Sequence, residues 1–351
     1  MLLYIVIAII MFGLLIALHE FGHFFTAKLL GVQVNEFSIG MGPPLVSRQK
    51  GETKYSIRAF PIGGYCAMEG EDEQSEDPRS FSNKAWWKKF IILIAGSAMN
   101  FLTGLVILLI LFGQMSSYRP PVITSFMDGF PLEGESGLMV GDEIVSIDGH
   151  RVYLYNDVAL FLARGNGTDL DIVVLRDGEK VVLEDLPLQL REYAGEDELR
   201  FGLRFEEERE ATGGDKVRLA WAQALDYGRI IWLSLGDIVH GAVGLRDLSG
   251  PVGIVSMIGQ VGAQSETQVA AIQNIMSLVA FIAINLAVMN LLPIPALDGG
   301  RIFFMIVNGF CLLFTRKKLN PKYEGYVNMV CFICLLGLMA VVAVSDVMKL
   351  V

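Results

Sequence analysis

Charge is scarce in this chain, and the residues that bind metals or form cross-links are scarcer still. Only 19% of its 351 residues are charged, and it contains four His and four Cys. Its Lys and Arg form no basic patch, so there is no nucleic-acid partner to expect. Cys66, Cys311, Cys331 and Cys334 make no disulfide framework. Cys331-x-x-Cys334 looks like half a zinc knuckle, but it lies in an apolar run without a second half and reads as packing. The N-terminal apolar run has no positively charged leading region and no A-x-A-like cleavage site, so it is expected to be a retained span and not a signal peptide. Apolar material is what the chain has in excess. With 53% hydrophobic residues and a mean hydropathy of +0.48, it is too apolar for an ordinary soluble protein and reads as a membrane protein.

The little charge is segregated. Residues 113–216 carry 10 basic against 22 acidic side chains, a net −12, and the remainder carries 18 against 16, a net +2. Membrane-length apolar stretches occupy residues 2–25, 90–112, 272–292 and 326–348, the second behind an interfacial belt, Trp86-Trp87-Lys88-Lys89. Between the first two, residues 32–39 and 55–60 alternate as strands do, with Arg48-Gln49-Lys50-Gly51 as a turn. Glycines at 40, 42, 63 and 64 allow tight turns or close backbone approach there. Such a hairpin could offer an edge strand to an extended peptide; an ordinary cytoplasmic hairpin is the plain alternative. Residues 69–77 form an acidic, solvated loop. Residues 215–264 carry a helical apolar stripe interrupted by Asp226, Arg229 and Asp237, which suits a helix lying on the membrane surface.

The chemistry-bearing stretch is His19-Glu20-Phe21-Gly22-His23, at the inner end of the first span. Three ionisable groups inside an apolar helix are expensive and mark function. His19 and His23 are four apart, so a helix puts both imidazoles on one face, within reach of one ion. Zn²⁺ accepts such a pair, needs a third protein ligand and keeps a fourth position for water. Glu20 falls beside that position as a general base. The third span breaks at Pro293-Ile294-Pro295 just before Asp298. Irregular backbone at membrane depth is tolerated only against protein or a wet cavity, which makes Asp298 a candidate third ligand. A carboxylate capping the next helix is the alternative.

Depth points the same way. At about 1.5 Å per residue, His19 lies roughly 27 Å along its helix, near the far side of a ~30 Å hydrocarbon core. Six Lys and Arg in residues 31–84, and Arg301, Arg316, Lys317, Lys318 and Lys322 after the third span, place both segments on the cytoplasmic side. Both termini and residues 117–206 then lie outside. Asn100, near the middle of the second span, serves packing or a hydrogen bond near the site. His240 stands among glycines with no ligand-spaced partner, and His150 follows an Asp-Gly turn; neither is a zinc candidate.

Two resemblances complete the reading. Residues 131–149, from Pro131-Leu132-Glu133-Gly134 through Gly141-Asp142-Glu143-Ile144 to Asp148-Gly149, resemble the core of a bacterial PDZ domain, with a second helix at 157–164 and strands at 170–175 and 180–183. His19-Glu20-Phe21-Gly22-His23 and Asn290-x-x-Pro293-x-Pro295-x-Leu297-Asp298-Gly299-Gly300 resemble the two signatures of site-2 proteases, the intramembrane zinc metalloproteases. Their order, the PDZ-like insert and Gly96-x-x-x-Asn100 are similar to the bacterial regulator-of-sigma-E protease branch, as is Leu248-Ser249-Gly250-Pro251. The enterobacterial members carry two PDZ domains; this chain has one.

The resemblance implies a polytopic α-helical membrane protein of four transmembrane helices, with a membrane-associated β-hairpin and one inserted extracytoplasmic PDZ-like α+β domain. Its parts are a first transmembrane helix (1–30), a membrane-reentrant β-hairpin with an acidic loop (31–84), a second helix (85–113) and the PDZ-like domain (117–206). A surface amphipathic segment (215–264), a third helix broken at Pro293 and Pro295 (270–314) and a fourth (324–349) follow. It implies Zn²⁺ held by His19, His23 and Asp298, Glu20 as base, and Asn290 as donor to the scissile carbonyl. Phe60, Gly63, Gly64 and Asn100 are implied to handle substrate. The activity would be hydrolysis within the transmembrane segment of a single-pass protein, a pre-trimmed anti-sigma factor or signal-peptide remnant, in a bacterial inner membrane. The PDZ-like domain would hold a peptide or substrate segment. A metal or small-solute transporter could also place His and Asp in broken helices, but it needs no Glu beside a ligand and no inverted repeat is evident. A catalytically silent PDZ scaffold would tolerate loss of a ligand, and none is lost.

Overall fold

The computed structural model describes residues 2–71, 75–165, 169–244, 250–315 and 321–350. Leu248, Ser249, Arg316, Lys317 and Lys318, which entered the sequence reading, lie outside the described residues. In chain order the elements are α1 (Leu2–Leu29), β1 (Val34–Lys50), β2 (Thr53–Met68), α2 (Trp86–Gly113), β3 (Ser117–Tyr118), β4 (Ser125–Phe126), β5 (Glu143–Ile147), β6 (His150–Arg151) and α3 (Tyr155–Arg164). Then come β7 (Leu170–Arg176), β8 (Glu179–Leu186), β9 (Leu203–Arg204), β10 (Arg209–Glu210), α4 (Gly213–Val239), α5 (Pro251–Gln264), α6 (Gln268–Asn290), α7 (Asp298–Thr315) and α8 (Pro321–Leu350). Among the described residues, four segments are long and apolar enough to cross a membrane: Val6–Leu29, Trp86–Gly113, Gln268–Asn290 and Gly325–Lys349.

The chain divides into two compact units, residues 108–226 and the remainder. In the larger unit the helices bury small and polar residues together with a minority of their large apolar ones, and leave many large apolar side chains exposed, as lipid-facing helices do. On α1 the buried positions are Ala8, Met11, Leu15, His19, Gly22, His23 and Ala27, which lie along one face. Ile10, Leu14, Phe21, Phe25 and Leu29 face outward. Glycine lets neighbouring backbones close up. A Cβ at Gly22 would strike the Ala95 carbonyl of α2, one at Gly13 would lie 2.7 Å from the Pro61 carbonyl of β2, and one at Gly104 would lie 2.7 Å from Ile284 of α6.

The hairpin is longer and more bent than alternation alone suggests. Residues 36–39 of β1 have Cα partners on both sides: Phe37 lies opposite Cys66 and Tyr55, and Ile39 opposite Gly64 and Ile57. Residues 46–50 pair in turn with 53–57. Two strands thus fold back into a sheet with residues 36–39 and 53–57 inside it. Arg58 fixes the bend by donating to the Gly42 carbonyl at 2.7 Å and to Glu36 at 2.8 Å. Burial would raise the Glu36 carboxyl, but hydrogen bonds from Ser56, Arg58 and Tyr65 hold it down at about 2, so the pair stays ionised through the neutral range.

The segment expected as one surface stretch, 215–264, is two different helices. α4 exposes Val217, Trp221, Leu225 and Trp232. α5 is packed inside the unit: Ile258 is fully buried in a cluster with Ala8, Met11 and Leu15 of α1 and Ile282 and Ala283 of α6. Pro251 suits the first turn of a new helix, where its missing N–H goes unneeded. The orphan N–H groups of Gly250 and Gly253 both donate at 2.8 Å to the Asp346 carboxylate of α8. The third span is likewise interrupted, because Pro293 and Pro295 cannot continue α6 and α7 starts afresh at Asp298.

In the smaller unit β6, β5, β7 and β8 form an antiparallel sheet in that order, with Ile144, Ile147, Ile172 and Val174 fully or almost fully buried. Asp157 caps α3, accepting from Tyr153 N at 2.7 Å and Leu154 N at 3.1 Å. Arg176 of β7 grips the buried Asp142 with two bonds of 2.8 Å.

Overpacking a close helix contact costs about 1–3 kcal/mol. Gly104→Leu therefore lowers the melting temperature of the detergent-solubilised protein, whereas Gly337→Leu, where nothing lies within 4 Å, leaves it unchanged. Thermal unfolding of the two variants side by side checks this.

Candidate metal centre

α1 brings the two imidazoles together because His19 and His23 are one turn apart on its buried face; they are 8% and 6% exposed. α7 supplies the third group from its first residue. His19 Nε2 and His23 Nε2 each lie 3.2 Å from Asp298 Oδ2, and 3.3 Å from one another. These three are the metal-ligating group among the described residues, and Glu20 is not part of it. Asp298 Oδ2 is buried without a hydrogen-bond partner.

This triangle fits zinc. Ligands at about 2.0–2.1 Å on a tetrahedral ion stand roughly 3.3–3.4 Å apart, the edge of that tetrahedron. The three separations, 3.2, 3.2 and 3.3 Å, lie close to it, and the donor set of two imidazoles and one carboxylate is of the type zinc takes at catalytic sites. A fourth vertex remains for water or substrate.

α2 supports the ligands through one stripe, Ile92, Gly96 and Asn100, spaced four apart so that all three face α1. The Ile92 carbonyl lies 2.8 Å from His23 Nδ1; with the ring proton on Nδ1 that carbonyl accepts it, and Nε2 is left available to a metal. A Cβ at Gly96 would collide with both imidazoles, so the absent side chain is the space the rings occupy. Asn100 is 1% exposed, its amide is 3.5 Å from His19 Nδ1, and its Oδ1 has no partner. A His19 that ligates through Nε2 carries its proton on Nδ1; turning the Asn100 amide gives that proton an acceptor. Asn290, at the end of α6, also brings its amide to 3.5 Å from His19 Nδ1.

Gly64 of β2 meets the site directly, since a Cβ there would lie 3.4 Å from Glu20 Cγ and 2.9 Å from the Ser38 carbonyl. Gly63 takes φ +96° beside the Met41 side chain, and Phe60 is 61% exposed. His240 is exposed, with Nδ1 2.7 Å from the Gly236 carbonyl, and belongs to no ligand group. The sequence placed Gly96 in a spacing with Asn100 without showing what its missing side chain makes room for, and it gave no view of Ile92. Their four-residue spacing to Asn100 was the signal available.

Filling the imidazole space should evict the metal. Gly96→Val is expected to lose nearly all bound zinc while Gly337→Val keeps it, as elemental analysis of the purified proteins will show.

Comparison with known proteins places this geometry. Residues 7–338 match peptidase family M50. The chain is 35% identical to a protein of Clostridium acetobutylicum named as a zinc metalloprotease, over 98% of this chain and 97% of that one. It is 34% identical to a Clostridium perfringens protein of the same description, over 98% of each chain. Against the regulator of sigma-W protease RasP of Bacillus subtilis it is 28% identical, over 97% of each. With that full-length match, and with two imidazoles and a carboxylate at zinc spacing inside a set of membrane-length helices, the chain belongs to peptidase family M50, the site-2 proteases, and is a zinc-dependent metalloendopeptidase.

Proposed function

We propose that this enzyme hydrolyses a peptide bond within the transmembrane segment of a single-pass membrane protein, an anti-sigma-factor-like chain already trimmed by another protease or a signal-peptide remnant. The observation that carries the reading is the separation of roles: His19, His23 and Asp298 form the ligand triangle, while Glu20 stands outside it beside Gly64 of β2. Zinc, when bound, supplies Lewis-acid polarisation and makes water acidic enough to attack near neutral pH.

The chain's own residues do the rest. Glu20 takes the proton from the attacking water and returns it to the leaving amine. The Asn290 amide donates to the carbonyl oxygen as charge develops on it. Asn100 and the Ile92 carbonyl hold the two imidazoles in the ligating tautomer. A helical substrate hides its carbonyls in its own i→i−4 bonds and must be unwound to be cut. Pairing with the β2 strand through residues 60–64 replaces those bonds and lays an extended segment past Glu20; Phe60, Gly63 and Gly64 shape that strand.

Counting Lys and Arg supports an orientation with both termini and residues 117–206 outside a bacterial inner membrane, and the zinc site towards the cytoplasm. In this reading the PDZ-like unit holds or screens the external part of a substrate. It takes no part in the chemistry.

The test separates base from ligand. Glu20→Gln is expected to abolish cleavage of a transmembrane test substrate and keep zinc; His23→Ala loses both. Removing one oxyanion donor lowers kcat by about 10²–10³, so Asn290→Ala should keep zinc and turn over that much more slowly. Normal turnover by a folded, zinc-loaded Glu20→Gln protein would end the mechanism.

A further inference from the structure

Asp298 is the one ligand that does not come from α1, and the element carrying it follows an interrupted backbone. Ala296, two residues before it, holds φ +76°, a strained conformation for a residue other than glycine. Something must fix the first turn of α7 against the rest of the unit. Gly299 and Gly300 let that turn lie directly on the backbone of residues 291–295, which ties it to α6 but not to the hairpin. Arg301 makes the second tie. It stands three residues after Asp298, one turn along the same side of α7. Its guanidinium donates to Glu71 Oε1, across 230 residues of sequence. Glu71 uses its other oxygen, Oε2, to accept from Met68 N at 3.3 Å, at the last residue of β2. Next in sequence, Ile302 packs on the cluster that contains Cys66 and Met68.

We propose that the Glu71–Arg301 ion pair is a positioning clamp that holds the first turn of α7, and with it the Asp298 carboxylate, in register with the end of β2. One carboxylate thereby joins the strand that passes Glu20 to the helix that completes the ligand triangle. Neither residue touches the reacting atoms. The pair is only partly exposed, at 33% for Arg301 and 17% for Glu71, so solvent screens it less than a surface pair. The consequence is a shared function: metal retention depends on a residue in the loop after the hairpin. The clamp rests on the reading of Asp298 as a ligand.

The experiment uses the full-length protein in detergent, loaded with zinc and challenged with a chelator that reports metal release. Asp298→Ala is the control for the ligand reading. If it keeps zinc, that reading fails. If it loses zinc while Glu71→Gln and Arg301→Gln release metal at the wild-type rate, the clamp alone fails. The expected result is release about tenfold faster in each glutamine variant, the lower end of the effect of groups that orient metal ligands. The double variant should be no worse than either single, because the two residues act as one unit; release rates that multiply would overturn the pair. On the test substrate, kcat should fall about tenfold with KM within about twofold, since the receiving strand itself is untouched. A rise in KM at unchanged kcat would overturn the clamp in favour of a substrate contact. Should the glutamine variants not fold, Arg301→Met, which leaves the Met68 N bond to Glu71 in place, decides: release about tenfold faster from the folded variant supports the clamp, and release at the wild-type rate overturns it.

Discussion

Two imidazole nitrogens and a carboxylate oxygen, all within 3.3 Å of one another and walled in by apolar helices, form an arrangement that a shared cation makes favourable. Without it, three lone-pair donors face one another away from water, and Asp298 Oδ2 is left buried without a hydrogen bond. The remaining structure of the larger unit reads as the set of conditions that let this happen at membrane depth. α1 commits its buried stripe to the imidazoles, and α2 gives up a side chain at Gly96 to make room for them. α6 stops at Asn290, ahead of Pro293 and Pro295, so that a new helix begins with Asp298 beside the pair.

The same close approaches connect packing to chemistry. Gly22 brings α1 against α2, and that contact puts the Ile92 carbonyl within 2.8 Å of His23 Nδ1. Gly13 and Gly64 bring β2 against α1, and that contact puts an extended backbone beside Glu20. In an apolar solvent helices gain little from burying apolar surface, so small residues that admit backbone contact carry much of the association. Substitutions at these glycines therefore act on activity through distance.

Much of the candidate site is legible in the sequence because its logic is local or countable. The four-residue spacing of His19 and His23 dictates a common helical face whatever the tertiary structure. The Pro293-Ile294-Pro295 break and the Lys and Arg counts put Asp298 at the same depth as the pair without any structural information. Other features left no pattern. An absent side chain has no periodicity, so nothing about Gly96 shows that two imidazoles fill its place. Period-two alternation marks residues 32–39 and 55–60 as strands but cannot show that residues 36–39 are paired on both sides. A short apolar helix reads alike on a membrane surface and inside a bundle, so the sequence runs α5 together with α4, whereas Ile258 packs against α1 and α6. Glu71 and Arg301 lie on either side of most of the chain, and nothing in the spacing of either announces the other.

The central claim is that one zinc ion sits in the triangle of His19, His23 and Asp298 with a fourth position open. X-ray absorption at the zinc edge, on the purified zinc-loaded protein, tests it most directly. The account predicts a first shell of nitrogen and oxygen only, at about 2.0–2.1 Å, with the outer scattering of two imidazoles. A sulfur neighbour at about 2.3 Å, or a spectrum unchanged by His23→Ala, would contradict it.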